Sequence, residues 1–130
     1  MSRSMSKRAL SIASIAALCA CSPVLIADED LPDPLAAGWN GEQICELLHE
    51  DAQQRILRCI FPPGVGHEKH FHKAHFGYVL AGGKMRIIDD SGVRELDLRA
   101  DYSWTSDGIS WHEVLNVGET TAVYLIVESF

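Results

Sequence analysis

The chain has 130 residues and a mass of 14.3 kDa, which is about the length of one domain. Its apolar fraction of 47% and charged fraction of 22% are those of a globular protein, and they exclude a disordered, collagen-like or disulfide-saturated chain. The formal net charge of −7 would repel phosphate backbones, so we expect no nucleic-acid partner.

The first 27 residues differ in charge from the rest of the chain. All 18 acidic residues lie at or after Asp28, whereas three basic residues precede an apolar run over residues 9–20. A basic start followed by a short apolar run is the layout of a secretory signal. The run is shorter than the roughly 20 residues that span a membrane. We therefore predict an N-terminal signal sequence over residues 1–20 that is removed on export.

The cleavage point has alternatives. Residues 18–21 (LCAC) resemble a bacterial lipobox, in which Cys21 would carry a lipid and a membrane would be contacted only through that anchor. Cys19 is unusual at its position in that pattern. Cleavage after Ala27 would give a plainly secreted protein instead, and a mitochondrial-type presequence is a further alternative. We expect a periplasmic or envelope-anchored lipoprotein, with a secreted protein as the alternative.

Residues 21–43 follow as a predicted linker or N-terminal arm, because Asp, Pro and Gly occur there without any period. The remaining residues, 44–130, consist of short apolar or alternating runs separated by turn residues. These runs cover residues 44–48, 55–61, 76–81, 85–88, 94–98 and 121–127. They predict a single all-β domain, a sandwich or a barrel, and the sequence has no P-loop or dinucleotide motif.

Cys45 and Cys59 are the two cysteines of this domain. An oxidising compartment would allow them to form a disulfide. Their midpoint is Ala52, so a hairpin that turns there would place the two cysteines roughly opposite each other. The alternative is a pair of buried thiols that pack as small apolar side chains.

Four of the six histidines lie between residues 67 and 75. Side chains alternate between the two faces of a strand, so His70 and His72 project to the same side, close enough to bind one ion. His67 would lie on the opposite face, and we predict it to be a loop or rim residue.

His75 can join this pair only if the chain turns at residues 73–74, so that His75 opens the next strand. His112 is the fourth candidate. It lies far away in sequence, as a metal site assembled from distant strands requires. Neutral imidazoles suit Zn, Fe, Mn, Ni or Cu, and a site of three or four nitrogens leaves positions for water or substrate.

Residues 62–116 resemble the two motifs of a small single-domain cupin. The first motif of that family, G-x5-H-x-H-x3,4-E-x6-G, is matched in register by Gly64, His70, His72 and Gly82. His75 stands in place of the Glu of the motif. It keeps the spacing to Gly82 but follows His72 after two residues rather than three or four.

The second motif, G-x5-P-x-G-x2-H-x3-N, is matched by Gly108, His112 and Asn116, while Ala100 and Ser106 replace its first Gly and its Pro. Three residues rather than two separate Gly108 from His112. A β-bulge would absorb the extra residue.

The resemblance implies a single-domain cupin β-barrel, a jelly roll of the RmlC-like superfamily, over residues 44–130. It implies one divalent transition metal, Fe, Mn, Zn, Ni or Cu, held by His70, His72, His75 and His112. Imidazole in place of a carboxylate removes one negative charge from the ligands and raises the Lewis acidity of the ion. The resemblance also implies a homodimer.

Two functions are compatible with this resemblance. We expect a small mononuclear metalloenzyme that acts on a small organic molecule, with dioxygenase-like chemistry favoured. The alternative is a non-catalytic cupin module that binds a metal or a small ligand at the cell envelope. The candidates for lining the pocket are Trp104, Trp111, Arg86 and Tyr124, although an aromatic side chain in a β-barrel more often packs in the core.

Overall fold

The computed structural model describes residues 16–19 and 30–130. The predicted cleavage points and the predicted lipidation of Cys21 lie outside these residues. The described part of the chain contains eleven β-strands and no helix, so it has no helix that could cross a membrane. The strands are β1 (Gly38–Trp39), β2 (Glu42–Gln43), β3 (Cys45–Glu50), β4 (Gln54–Phe61), β5 (Gly66–His72), β6 (His75–Ala81), β7 (Gly83–Asp89), β8 (Gly92–Leu98), β9 (Ser103–Ser106), β10 (Ile109–Asn116) and β11 (Ala122–Ser129).

Two antiparallel sheets form the body of the fold. The five-stranded sheet has the order β3-β4-β11-β6-β9, and the four-stranded sheet has the order β5-β10-β7-β8. The sheets pack face to face as a jelly roll, with the apolar core between them. This arrangement confirms the predicted all-β barrel.

The alternating burial of β4 and β11 shows how the sequence builds this core. On β11, Ala122, Tyr124 and Ile126 are buried, and the residues between them are half-buried. Antiparallel pairing places Leu57 of β4 opposite Ile126. Burying an aliphatic side chain of this size contributes about 1.5–3 kcal/mol, so the alternation decides which face of each strand points inward.

Three strands of the two main sheets, β5, β9 and β10, have no counterpart among the predicted apolar runs, although the spacing of His70 and His72 was interpreted as that of a strand. β10 pairs with both β5 and β7, which makes it an inner strand of its sheet. Its sequence ISWHEVLN places polar residues, including His112 and the buried Asn116, among the apolar ones. These polar side chains interrupt the alternation of apolar and polar residues by which a strand is recognised in a sequence.

β3 and β4 form a hairpin in which Cys45 lies opposite Cys59. The two cysteines are joined by a disulfide, with 4.0 Å between their Cα atoms. The structure therefore has the bonded form of the two alternatives that the sequence leaves open.

Residues 30–43 pack against the barrel as an N-terminal arm. Ala37 is buried, and Trp39 of β1 packs against the core. The Trp39 ring lies against Gly66, where a Cβ atom would come within 2.7 Å of it. A side chain at residue 66 would therefore push the arm away from the barrel.

Two hydrogen bonds tie this arm to β5. The backbone N–H of Phe71 donates to the carbonyl oxygen of Pro32 at 3.2 Å. The backbone N–H of Asn40 donates to Oε1 of Glu68 at 3.0 Å. The arm thus lies along the strand that carries two of the predicted metal ligands.

Candidate metal centre

Three histidines from two neighbouring strands meet inside the barrel. His70 and His72 lie on β5, and His112 of β10 is paired with His70. Nε2 of His70 is 3.0 Å from Nε2 of His72 and 3.0 Å from Nε2 of His112. One ligand atom of each residue lies within 4.8 Å of the others. These three side chains are therefore positioned to bind one metal ion.

The hydrogen bond at Nδ1 of His70 determines which of its two nitrogens is free to bind a metal. Its Nδ1 donates a hydrogen bond to the carbonyl oxygen of Glu68 at 2.6 Å, so Nε2 carries the free lone pair. Burial, reinforced by the neighbouring histidines, lowers the pKa of His70 to about 2 and the pKa of His112 to about 3. Both imidazoles are therefore neutral at physiological pH, which is the form that binds a metal.

Irregular pairing between β5 and β10 sets the positions of these rings. Ile109 pairs with His72 and His112 pairs with His70, so β10 has one extra residue between these two pairs. This extra residue lies between Gly108 and His112, where the sequence is one residue longer than the second cupin motif. The next pair, Val114 with His67, places an extra residue on β5 instead.

The irregularity on β5 turns His67 inward, which contradicts the predicted rim position. The side chain is buried, and its ring centroid is 3.9 Å from that of His70. Its Nε2 donates to the carbonyl oxygen of Ala37 at 3.1 Å, and burial lowers the pKa of His67 to about 4. His67 is therefore a neutral packing partner of His70, since strict alternation fails where the strand has an extra residue.

His75 opens β6 after the turn at residues 73–74. Its ring centroid is 4.7 Å from that of His72, and it lines the same cavity. Its Nδ1 donates to the carbonyl oxygen of Lys73 at 2.8 Å, and its Nε2 accepts from Nε1 of Trp104 at 3.3 Å. Both nitrogens are thus engaged, and His75 lies beside the group formed by the other three histidines. Its role as a fourth ligand stays a prediction.

Trp104 and Tyr124, two of the predicted pocket residues, line this cavity. The indole of Trp104 occupies the space that a Cβ atom at Gly77 would fill. The Tyr124 ring stands edge-on to it at 6.0 Å. The Tyr124 hydroxyl is buried without a hydrogen-bond partner in the described residues, and burial raises the pKa of this hydroxyl. It is therefore protonated and able to donate to a bound molecule.

The histidines open onto a cavity of about 320 Å³ with mostly apolar walls. Arg94 and Tyr102 add polar groups to this lining, and neither was predicted. The aliphatic lining was not predicted by residue either, although alternation along the runs 85–88 and 94–98 was an available signal. The apolar lining residues are Phe61, Met85, Ile87, Leu96, Leu98, Ile109, Val114 and Ile126.

Arg86 is a predicted pocket residue that lies outside this cavity. The inward positions of β7 are Met85 and Ile87, so Arg86 points away from them. Its Nη2 is 3.0 Å from Oε1 of Glu95 on the neighbouring strand. The prediction for Arg86 is therefore corrected, because alternation on β7 turns its side chain to solvent.

Trp111 also lies outside the cavity. Its Nε1 donates to Oδ1 of Asp90 at 2.5 Å, and Nζ of Lys69 lies 4.4 Å from its ring centroid. These contacts place the Trp111 side chain on the outer surface, away from the cavity that His112 lines. The predicted pocket role of Trp111 is therefore corrected.

The donor set fits a divalent transition metal. Nitrogens that are about 2.0–2.1 Å from one ion lie roughly 3.0–3.4 Å from each other. Nε2 of His70 lies 3.0 Å from each of its two neighbours, and its single lone pair cannot serve both of them equally. One ion among the three nitrogens would engage all of them and leave coordination positions toward the cavity.

A chain of buried charged side chains lies behind His72. Glu128 is fully buried, and Nε of Arg55 donates to its Oε2 at 2.5 Å. Nη1 of Arg55 is also 3.0 Å from Oδ2 of Asp33 in the arm. Burial alone would raise the pKa of Glu128, but His72 and Arg55 lower it overall. This group was not predicted, although the alternation of β11 continues past Ile126 to Glu128.

Comparison with solved structures identifies the fold. No family model matches the chain, and no curated protein matches it. A cupin domain from Bordetella pertussis Tohama I is 20% identical, with a TM-score of 0.63 over 67% of this chain and 92% of that chain.

Two further solved structures have the same architecture at lower similarity. An RmlC-like cupin family protein with a double-stranded β-helix fold from Methanocaldococcus jannaschii is 14% identical, with a TM-score of 0.54 over 66% of this chain and 78% of that chain. The polyketide cyclase RemF from Streptomyces resistomycificus is 18% identical, with a TM-score of 0.52 over 65% of this chain and 63% of that chain. At these identities the similarity concerns architecture, and the chain has the fold of a cupin β-barrel.

Proposed function

We propose that this protein is an exported mononuclear metal cupin that acts on a small organic molecule. The observation that carries the proposal is the convergence of three Nε2 atoms, from His70, His72 and His112, on one wall of an apolar cavity. A structural metal would be closed off by protein ligands, whereas a site beside a cavity leaves room for substrate.

The cavity supports a substrate that is compact and largely apolar. A volume of about 320 Å³ lies at the lower end of the range for small-molecule sites, and the walls are dominated by aliphatic and aromatic side chains. The Tyr124 hydroxyl offers a hydrogen bond to one polar atom of such a molecule. We therefore infer a small apolar compound that carries a hydrogen-bond acceptor.

The chemistry divides between the ion and the protein. A bound divalent ion would supply Lewis acidity or, if it is iron, reactivity toward O₂. The histidines hold the ion, Tyr124 orients the substrate, and Trp104 and the aliphatic walls exclude water. We favour dioxygenase-like chemistry, because the Ser and Cys side chains of the lining are engaged in other contacts: Cys59 is bonded to Cys45, and Oγ of Ser106 accepts from the backbone N–H of Gly108 at 3.1 Å.

Metal analysis of the exported protein tests this proposal. We expect one equivalent of a divalent transition metal in the wild-type protein, and less than one tenth of an equivalent in His70→Ala and His112→Ala. His49→Ala is the matched control, because His49 is exposed and pairs with Asp51 on the surface, away from the cavity. Retention of metal by both cavity variants would refute the site. Oxygen uptake by the iron-loaded protein in a screen of small aromatic and aliphatic acids would support the dioxygenase.

The alternative proposal is a non-catalytic module that binds a metal or a small ligand at the cell envelope. The same cavity and histidines would serve this role. Saturable ligand binding without turnover, in protein that carries a full equivalent of metal, would favour it over the enzyme.

We also propose export through the leader, with lipid attachment at Cys21. The basic start and the apolar run over residues 9–20 support export, and the sequence LCAC supports the anchor. Fatty-acid labelling of the wild-type protein and its loss in Cys21→Ala are the expected results. Unchanged labelling in that variant would exclude the anchor.

A homodimer is the oligomeric state that we propose. Exposed apolar side chains on the outer face of the five-stranded sheet, including Ile60, Phe76 and Leu80, support it. Light scattering of the domain without its leader should give twice the monomer mass, and a monomer mass at micromolar concentration would contradict this proposal.

A further inference from the structure

We infer that Glu128 is a positioning residue for the metal ligand His72, and that Arg55 and Asp33 hold Glu128 in place. The inference rests on the proposed metal site and assigns it a carboxylate that lies outside the ligand set. Its basis is the arrangement of four buried or partly buried groups that lead from the arm to the ligand.

Two buried polar atoms, one on Glu128 and one on His72, face each other. Oε1 of Glu128 and Nδ1 of His72 are both buried, and neither has a hydrogen-bond partner in residues 30–130. They lie 3.7 Å apart, which is too long for a hydrogen bond. Buried polar atoms are nearly always paired, so two such atoms that face each other indicate a bond that forms in another state of the protein.

Metal binding provides such a state. His72 would bind the ion through Nε2, the atom that lies 3.0 Å from Nε2 of His70, and its Nδ1 must then carry the proton. An ion on Nε2 makes this N–H a stronger donor, and a carboxylate acceptor fixes the tautomer and the plane of the ring. Closing the gap requires a shift of well under 1 Å by either side chain.

The two ligands of β5 would then have different outer partners. Nδ1 of His70 already donates to the carbonyl oxygen of Glu68 at 2.6 Å, so its orientation is set by the backbone. His72 has the carboxylate of Glu128 in the corresponding place. A charged acceptor raises the basicity of its imidazole more than a neutral carbonyl does. His72 is therefore the ligand whose strength depends on another side chain.

Arg55 and Asp33 explain why the carboxylate stays in position. Arg55 is 8% exposed and contacts Glu128 through Nε and Asp33 through Nη1. Arginine frequently makes a two-pronged contact with both oxygens of one carboxylate. Here Arg55 engages Oε2 alone, which leaves Oε1 of Glu128 to His72. The three charged groups sum to one negative charge, which favours a cation at the site.

The test compares Glu128→Gln with Glu46→Gln. Glu46 is a matched control because it pairs with Arg58 across neighbouring strands in an exposed position. Zn²⁺ affinity is measured by chelator competition on the full mature chain, with circular dichroism as the check of folding. We expect Glu128→Gln to bind Zn²⁺ about 10- to 100-fold more weakly than wild type and Glu46→Gln to bind it unchanged. The Co²⁺-loaded form of Glu128→Gln should also show a shifted visible spectrum.

A second measurement uses the wild-type protein and therefore does not depend on the folding of a variant. In ¹⁵N-labelled protein, addition of Zn²⁺ should slow the exchange of the His72 Nδ1 proton and shift its resonance downfield. The inference is overturned if Zn²⁺ binds to wild type and is lost in His112→Ala while Glu128→Gln binds as tightly as Glu46→Gln. If wild type itself binds no Zn²⁺, or if His112→Ala binds it normally, the proposed metal site fails instead.

Discussion

The interior and the outer surface of this barrel carry the same kinds of polar side chain in different surroundings. Four inner residues at or beside the site have an outer counterpart of the same type. The pairs are Glu128 and Glu95, His70 and His49, Trp104 and Trp111, and Tyr124 and Tyr78.

The outer members have simple partners at the surface. His49 pairs with Asp51 at 2.9 Å, and the Tyr78 hydroxyl donates to Asp101 at 2.5 Å. Water competes for such contacts, so they contribute little to stability. The inner side chains are buried away from water, and burial of a polar group raises the free energy of the folded state unless another group replaces the hydrogen bonds to water. The outer contacts are therefore replaceable, whereas Oε1 of Glu128 and the hydroxyl of Tyr124 are buried without a hydrogen-bond partner in the described residues.

Removing an inner carboxylate should have the largest effect. Glu128→Ala leaves the Arg55 guanidinium buried without its closest partner, and we expect the free energy of unfolding to fall by about 3–5 kcal/mol. Glu95→Ala removes an exposed partner of Arg86 and should cause no measurable change. Urea unfolding followed by circular dichroism measures both. An equal decrease in the free energy of unfolding in the two variants would contradict the expected difference between buried and exposed carboxylates.

Acid should destabilise the metal-free protein through its buried histidines. Burial lowers the pKa of His67 to about 4, below the value of about 6.5 in an unfolded chain. Below pH ~6.5 the unfolded chain therefore binds a proton that the folded protein does not, and stability falls as pH decreases toward the folded pKa.

This loss should reach about 1–2 kcal/mol for His67 at pH ~5, and His70 and His112 should act in the same direction. Melting temperatures between pH 7.5 and 5 measure the slope. His67→Gln should make the slope shallower. A wild-type melting temperature that is constant over this range would contradict the lowered pKa values.

Displacing an inner tryptophan should have a moderate effect. Gly77→Ala places a methyl group where the Trp104 indole lies, and overpacking of this kind costs about 1–3 kcal/mol. The hydrogen bond from Trp104 to His75 should also be lost, with a change in indole fluorescence. Trp111→Phe on the outer surface should leave the free energy of unfolding unchanged. Wild-type stability and fluorescence in Gly77→Ala would show that the indole can move freely.

The smallest effect on stability is expected at the inner tyrosine. Tyr124→Phe removes a buried hydroxyl without a partner in the described chain, so stability should stay constant or rise by up to about 1 kcal/mol. Affinity for a cavity ligand should fall in this variant and stay unchanged in Tyr78→Phe. Calorimetric unfolding and ligand titration measure the two properties. Marked destabilisation of Tyr124→Phe would show that the hydroxyl already has a partner.

The parts of the site that depend on local geometry could be predicted from the sequence. H-x-H on a strand places His70 and His72 on one face whatever the rest of the fold does. His112 was found through its place in the second cupin motif, and the extra residue before it lies where β10 has an irregular pairing with β5. The short alternating runs predicted an all-β sandwich or barrel, and the resemblance to the cupin motifs implied the barrel.

The parts that depend on register or on distant contacts could not be predicted. His67 points inward only because β5 has an extra residue relative to β10. Trp111 faces outward on a part of β10 where the pairing with β5 is irregular, whereas the alternation of residues 85–88 was an available local signal for Arg86. Glu128 acquires its role from Arg55 and His72, which lie on other strands and far away in sequence.

The arm along β5 has a consequence for association between molecules. β5 is the outermost strand of its sheet, the kind of strand to which a second chain can add by β-pairing. The hydrogen bond from Phe71 to Pro32 occupies part of its backbone, and Asn40 is held by Glu68 on the same strand. The arm thus covers part of the strand that carries His70 and His72, and we expect its removal to leave this edge of the barrel open to pairing with a second chain.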